Sequence, residues 1–390
     1  MKNVEYLVGS ETITKTPMQT YSDEICNFMN DISSVLIKSS QSRIYTDISA
    51  LAFWCRKGNI KKLKSDFNLN GGKIGRGLCF HIAPSNIPIN FAFSYFFSLL
   101  AGNANIVRLP SKKFPQVDYL CEVFNNILSN YPNIKARTAF VKYPVDNAIT
   151  AEFCKIADAR MIWGGDNTIK SIKSIETKPR CVDITFADRY SVCIIDANKI
   201  LEADNDTLTR LSENFYNDTY LMDQNACSSP QLILWLNDNE KTRDKFWNAV
   251  YEIASKNYEL QDAVSVDKYT KMCEDAINLN IIKSTKHISN LLYRSEISEL
   301  ILEMQNIRGK GGYFYEYSLK DYSELFKIVN EKYQTVTYFG IDAVKLRQAV
   351  VENNLCGIDR IVPIGKAMDI DVIWDGHDLV SELSRKISVI

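Results

Sequence analysis

From Leu78 onward the chain alternates between short apolar runs and helix-length amphipathic segments, and this restricts its fold more than any other feature. Leu78 to Ala83 has the pattern of a buried strand, closed by Pro84. A helix capped by Ser85 or Asn86 is expected to run to Ala101, with Gly102 placed to end it in a left-handed conformation. Ala104 to Leu109 forms a second strand stopped by Pro110. Strand, helix and strand within about 33 residues is the spacing of a right-handed crossover between parallel strands. The alternation continues with helical segments at Gln116–Ser129, Asp146–Ala157 and Asn167–Ile175. Strand-like runs fall at Thr138–Lys142, Arg160–Trp163, Cys181–Phe186 and Ser191–Ile195. The fold class is therefore α/β, with largely parallel sheets covered by helices on both faces.

A second unit of the same kind starts with the helical segment Leu208–Asp223, followed by a polar loop and the strand Gln231–Leu236. The expected organisation is residues 1–205 as N-terminal helices plus a nucleotide-binding domain, and 206–355 as a catalytic domain. Residues 356–390 are a C-terminal return segment packing near the site. The first 70 residues read as mostly amphipathic helix, and no internal repeat interrupts the pattern.

Composition excludes several classes. With 46 Lys plus Arg against 47 Asp plus Glu, no basic field exists to attract nucleic acid. Ile87 to Ala101 is apolar, but it is shorter than the ~20 residues needed to span a bilayer, and Asn90, Ser94 and Ser98 interrupt it. Met1 to Thr20 lacks the apolar stretch of a secretory signal. The ten cysteines show neither a disulfide framework nor zinc-ligand spacing, which points to a reduced cytoplasm and no metal.

One thiol stands apart. Cys227 sits in Asp223-Gln224-Asn225-Ala226-Cys227-Ser228-Ser229-Pro230, a small-residue polar loop, and is expected to be exposed and nucleophilic. Most of the others lie in apolar-periodic segments, where a thiol packs as a small hydrophobe. His81, His287 and His377 are too far apart to mark a metal site and are expected to be structural. Gly71-Gly72-Lys73-Ile74-Gly75-Arg76-Gly77 precedes the first strand, whereas a dinucleotide fingerprint follows one, so it reads as a connecting turn. Two further motifs leave alternatives open. Asn86 is placed either to cap a helix or to donate to an oxyanion at the strand's C-terminal edge. Gly164 and Gly165 follow a strand and open a helix, either as a plain left-handed turn or as a close approach for a phosphorylated ligand.

Together these segments resemble the acyl-CoA reductase family, to which the fatty acid reductase of bacterial bioluminescence belongs, within the aldehyde dehydrogenase superfamily. The resemblance is carried by His81-Ile82-Ala83-Pro84-Ser85-Asn86-Ile87-Pro88, Leu99-Leu100-Ala101-Gly102-Asn103 and Ile106-Val107-Arg108-Leu109-Pro110-Ser111-Lys112. It extends through Ile162-Trp163-Gly164-Gly165-Asp166, the Cys227 loop, Gly357 to Lys366, and Trp374-Asp375-Gly376.

The resemblance implies an aldehyde dehydrogenase-like fold of two Rossmann-like domains, with Cys227 as acyl acceptor and Asn86 as oxyanion donor. It implies NADPH as cofactor, with Arg108, Ser111 and Lys112 near the adenosine ribose and Gly164 and Gly165 beside the dinucleotide. The substrate implied is an acyl thioester such as fatty acyl-CoA, reduced to an aldehyde. An acyl-protein synthetase partner and a homo-oligomer also follow from the resemblance. Where oxidative members of the superfamily carry a water-activating Glu, the nearest block here is Thr185-Phe186-Ala187-Asp188-Arg189, with Thr185 at that place. Asp183 and Asp188 are the neighbouring acid–base candidates. The alternatives are an oxidative aldehyde dehydrogenase and a non-catalytic acyl-binding scaffold of the same fold.

Overall fold

The computed structural model describes residues 3–67, 72–85 and 87–389. The chain divides into two compact units, Met1–Ala187 with His377–Ile390, and Asp188–Gly376.

The first unit is built on strands β1 (Glu5–Val8), β2 (Lys73–Gly75), β3 (Leu78–Ile82), β4 (Ala104–Arg108), β5 (Thr138–Lys142), β6 (Ala159–Trp163) and β7 (Val182–Phe186). Six of them form a sheet in the order β1-β5-β4-β3-β6-β7. All neighbours are parallel except β1, which runs antiparallel to β5 with Glu5 opposite Lys142. From β3 the chain steps outward through β4 and β5, then returns to the other side of β3 for β6 and β7. Such a reversal opens a crevice beyond the carboxyl ends of the strands, beside β3 and β6. Every residue of β3 is buried, as expected for a strand covered on both faces.

The helix after β3 begins at Asn90, with Ile89 at its cap and no side-chain cap bond, so Ser85 does not cap it. Pro84 and Pro88 hold the residues before them extended, which delays helix entry until Pro88 is passed. Asn86 lies outside the described residues. The helix ends at Gly102, whose φ is +92° and whose missing Cβ would stand 2.1 Å from the Met18 carbonyl oxygen.

The described part of the first 70 residues is mostly helix, as expected, at Asp23–Lys38, Gln41–Ile44, Thr46–Trp54 and Lys57–Asp66, with Glu5–Val8 added as a strand on the sheet edge. One expectation fails: Lys73–Gly75 is not a plain turn but pairs antiparallel with Ser384–Lys386. Asn103 ties that pairing to the core: its Oδ1 accepts from Arg76 N at 2.6 Å while its Nδ2 donates to Leu383 O at 2.9 Å.

The second unit carries β8 (Tyr190–Asp196), β9 (Pro230–Leu236), β10 (Ile282–Ile288), β11 (Leu292–Ile297), β12 (Tyr313–Ser318), β13 (Tyr333–Phe339) and β14 (Arg360–Pro363). Their order is β10-β11-β12-β9-β8-β13-β14, parallel except for the β10–β11 pair. Alternate residues of β8 feed opposite cores: Tyr190, Val192 and Ile194 pack on one face, Cys193 and Ile195 on the other. Because β8 pairs with β9 and β13, the second unit starts at Asp188 rather than at residue 206. Likewise β14 extends this sheet, so residues 356–376 belong to it, and only His377–Ile390 returns to the first unit.

The first unit is locked between β6 and β7 by a buried ion pair. Arg160 donates to both carboxylate oxygens of Asp183, at 2.7 and 2.6 Å, and to the carbonyls of Ile172 and Ile175. Asp183 is therefore held by an arginine on the neighbouring strand and is not an available acid or base. Arg160→Met strands that carboxylate, and the expected loss in urea unfolding is about 3 kcal/mol, the low end for a broken buried pair because Asp183 keeps some water contact. A loss under about 1 kcal/mol would assign the lock to packing alone.

Candidate active site

The Cys227 loop is shaped by the chain on either side of it. The helix Asn205–Thr219 opens on Asp204, whose carboxylate accepts from Thr207 N, and closes into a tight turn at Tyr220–Met222. Asp223 and Gln224 then take φ of 49° and 62°, and these two left-handed residues swing the chain toward β9. Non-glycine residues resist that conformation, so something must hold them there. The holding group is the buried Gln224 amide. Its Nε2 donates to Tyr313 O at 3.0 Å and Pro230 O at 3.3 Å, and its Oε1 accepts from Gly312 N at 3.2 Å. Gln231 repeats the device, donating to Gln224 O and accepting from Gly309 N.

The loop's other flank is fastened to the segment after β14. Asp218, buried at the end of the preceding helix, accepts from Gly365 N at 2.6 Å and Ala367 N at 3.0 Å. Ser229 Oγ donates to Asp218 O, and Ser228 Oγ to Met368 Sδ. Burial pushes the Asp218 carboxyl up to about 7 against the pull of those two N–H groups.

Cys227 itself is half-buried; Cys356, beside Gly357, is the exposed cysteine. The Cys227 carbonyl accepts from Ser191 Oγ at 2.6 Å. Burial dominates the sulfur's surroundings and pushes the thiol up, with Asp188 and Asp375 adding to it, while Arg189 N–H and Arg308 pull the other way. The expected exposure is thus corrected, and the thiol is pushed up because burial outweighs the donors. Asp188 accepts a two-pronged bond from Arg308 at 2.9 Å on each oxygen, so this second acid–base candidate is also occupied.

In the first unit the expected nucleotide residues gather at one sheet edge. Arg108 ends β4 and Trp163 ends β6. Gly165 caps the helix Asp166–Lys173 with φ −66°, and neither Gly164 nor Gly165 is left-handed. What Gly165 provides is room: a Cβ there would meet nothing within 4 Å. Arg108 lies 4.4 Å over the Tyr143 ring and donates to Pro144 O, while Ser111 and Lys112 are exposed in the following loop. Ser111, Lys142, Tyr143, Pro144 and the N-terminal residues Asn3 to Glu5 line a concavity of about 520 Å³, within the size range of ligand sites. Lys142 and Glu5 had no signal in the sequence, since only the β1–β5 pairing brings them to this edge.

His81 has a structural place. Its ring bonds Ser94 Oγ at 2.8 Å and Asn105 Oδ1 at 3.0 Å, and full burial pushes it down to about 4, so it is neutral at pH 7. Ser94 also accepts from Trp163 Nε1 at 3.1 Å, and Trp163 stacks on Phe186 at 3.6 Å. The ring wall at the end of β6 and β7 is thereby fixed from the core outward.

The family model for Acyl-CoA reductase (LuxC) matches residues 70–301. The chain belongs to that family. Long-chain acyl-protein thioester reductase 2 of Photobacterium leiognathi is 25% identical over 166 residues, which take in 42% of this chain and 33% of that reductase. Among solved structures, bifunctional proline utilization A (PutA) aligns with a TM-score of 0.64 at 12% identity, covering 93% of this chain and 42% of PutA. Aldehyde dehydrogenase 21 from Physcomitrella patens aligns with a TM-score of 0.62 at 12% identity, covering 93% of this chain and 84% of that one. The fold is that of the aldehyde dehydrogenases, with two doubly wound units in this acyl-CoA reductase family chain. Among the described residues no helix is long and apolar enough to cross a membrane, and no cluster of His, Cys, Asp and Glu could hold a metal ion.

Two outcomes follow from the shifted groups. In a Cys356→Ser background, iodoacetamide labelling of Cys227 should keep accelerating beyond about pH 10, where a small-peptide thiol with its midpoint at about 8.5 has levelled off. A plateau reached at or below about pH 10 would contradict the burial effect. Asp218 has its folded value raised above its unfolded one, so it favours the folded state at low pH and loses that contribution as pH rises from about 4 to about 7. Urea unfolding at pH 5 and pH 8 should show that fall in the unmodified chain and a smaller one in Asp218→Asn.

Proposed function

We propose that this chain reduces an acyl thioester, fatty acyl-CoA or an acyl group on a protein, to an aldehyde through a thioacyl intermediate on Cys227. The observation that carries the reading is the half-buried sulfur on a pinned loop, with the nearby carboxylate of Asp188 occupied by Arg308. A thioester formed there has a shielded carbonyl, and hydrolysis lacks an available base. Family membership and the thioester reductase relative support the same class of substrate.

The thiol of Cys227 loses its proton and attacks the thioester carbonyl. Asn86 and the Cys227 N–H serve as donors to the oxyanion, and the donor thiolate departs with a proton from solvent. NADPH, when bound, would supply the hydride for the thioacyl carbon. The thiohemiacetal on Cys227 then collapses, expelling the cysteine thiolate and releasing the aldehyde.

Gly164 and Gly165 would admit the dinucleotide backbone, and Ser111 with Arg108 and Lys112 would hold the adenosine ribose. The two cations favour a 2′-phosphate over a bare ribose. The free, unpaired state of all ten cysteines suits the cytoplasm, where we place the reaction. An acyl-protein synthetase as donor and assembly into a homo-oligomer complete the reading.

The test mixes the purified chain with acyl-CoA of several lengths and follows oxidation of NADPH and of NADH. Cys227→Ala should abolish both turnover and the acyl adduct seen by intact mass while leaving the fold unchanged; continued reduction would refute the assignment. Asn86→Ala should slow turnover by about 10²–10³, the usual loss for one oxyanion donor, and a loss below about threefold would exclude it from that role. Aldehyde with NADP⁺ giving free acid without CoA would replace the reading by an oxidative enzyme. An adduct that NADPH does not discharge would replace it by a scaffold.

A further inference from the structure

Ser191 stands where the second sheet loses its regular pairing on both sides at once. On β13, the two residues Gln334 and Thr335 fill the interval between Tyr333, which faces Tyr190, and Val336, which faces Val192. On β9, Gln231 is inserted between Pro230, which faces Ser191, and Leu232, which faces Val192. Each insertion is a bulge, a feature seldom found between parallel strands. Each also brings in a buried glutamine: Gln231 bonds Gln224 O and Gly309 N, and Gln334 bonds Asp375. A bulge takes backbone groups off the ladder between strands, and the N–H displaced at Thr335 is met by a side chain, the Ser191 hydroxyl.

That hydroxyl is buried and used in both directions. It accepts from Thr335 N at 3.2 Å and donates its single proton to Cys227 O at 2.6 Å. The carbonyl of Cys227 and the N–H of Ser228 belong to one planar unit, so a bond to the carbonyl fixes that plane beside the Cα that carries the thiol side chain. Gln224, Ser228 and Ser229 hold the loop on either side of the cysteine. The Ser191 bond lands on the cysteine residue itself.

We propose that Ser191 is a positioning residue: its hydroxyl, set between two bulges, fastens the Cys227 peptide to β8 and β13 and so holds the nucleophile's own residue in place. The effect on acyl transfer rests on Cys227 being the acyl acceptor; the fastening does not. Val192, the next residue of β8, packs with Tyr190 and Ile194 in the core on the face away from Ser191. Truncating it weakens the same strand and leaves the hydroxyl in place, which separates positioning from plain stability.

The experiment compares the full chain with Ser191→Ala and Val192→Ala, each checked for folding by circular dichroism. Amide hydrogen exchange over residues 225–229, read by mass spectrometry, should be about tenfold faster in Ser191→Ala, as for the loss of one buried hydrogen bond, and unchanged in Val192→Ala. Formation of the acyl adduct from acyl-CoA, timed by intact mass without NADPH, should slow by about tenfold in Ser191→Ala and stay within about twofold in Val192→Ala. Ser191→Thr keeps the hydroxyl and should restore both. If Ser191→Ala does not fold, Ser191→Cys, a weaker donor of like shape, supplies the comparison. Unchanged exchange over the loop in folded Ser191→Ala, or an equal rise in Val192→Ala, overturns the proposal. Faster exchange with an unaltered rate of acylation overturns its catalytic consequence. Failure of the acyl-acceptor reading is a separate result: no acyl adduct on Cys227 in the unmodified chain, with the difference in exchange intact.

Discussion

The second unit depends on one buried amide. Gln224 stands at a left-handed backbone position that an ordinary side chain avoids, and it stays there because both ends of its amide are satisfied by main-chain groups of β9 and the Gly309–Tyr313 segment. Tyr258 O–H on the Asp223 carboxylate and Gly311 N on its carbonyl hold the neighbouring left-handed residue, so the turn that sets Cys227 before β9 is fastened on both of its strained positions. Gln231 shares the strain by reaching the same glycine segment from the strand side. A close approach makes this feasible: a Cβ on Gly309 would stand 1.8 Å from Tyr313 O, so only glycine lets the segment come near enough to be bonded.

Around the sulfur the electrostatics are arranged by occupation rather than by isolated charge. Asp188 is taken by Arg308, and Asp359 and Asp375 by Arg189. A carboxylate bonded to a guanidinium is a poor proton acceptor, because protonating it breaks charge-assisted bonds. Each of these three carboxylates is thus engaged by an arginine rather than left as a base. Burial disfavours the charged thiolate of Cys227 and outweighs the donors around it.

Much of this was legible in the sequence where local signals agree with tertiary ones. The runs Thr138–Lys142 and Leu78–Ile82 are apolar and proline-bounded, and the sheet uses them as strands almost to the residue. Asp146 marks its helix because an acidic side chain before an amphipathic run accepts from Ala148 and Ile149 N. Signals failed where long-range pairing decides. Glu5–Val8 becomes a strand only because β5 offers an edge, and Lys73–Gly75 only because Ser384–Lys386 returns to meet it. Arg308 lies more than a hundred residues from Asp188 and carries no local mark of its role. The cysteine loop was visible as a motif, but the height of its walls was not, and burial is a property of the whole fold.

The first unit shows how a buried polar chain can serve a surface. His81, Ser94 and Asn105 are wholly enclosed, which is costly unless every polar atom finds a partner. They meet one another, and the chain ends at Trp163 Nε1 on the carboxyl edge of β6. Because His81 is held neutral, it can accept at one ring nitrogen and donate at the other without bringing a charge into the core. The indole is thus fixed in plane by a bond from beneath and by stacking on Phe186 from the side. The aromatic wall next to Gly164 and Gly165 is held rigid by buried core residues.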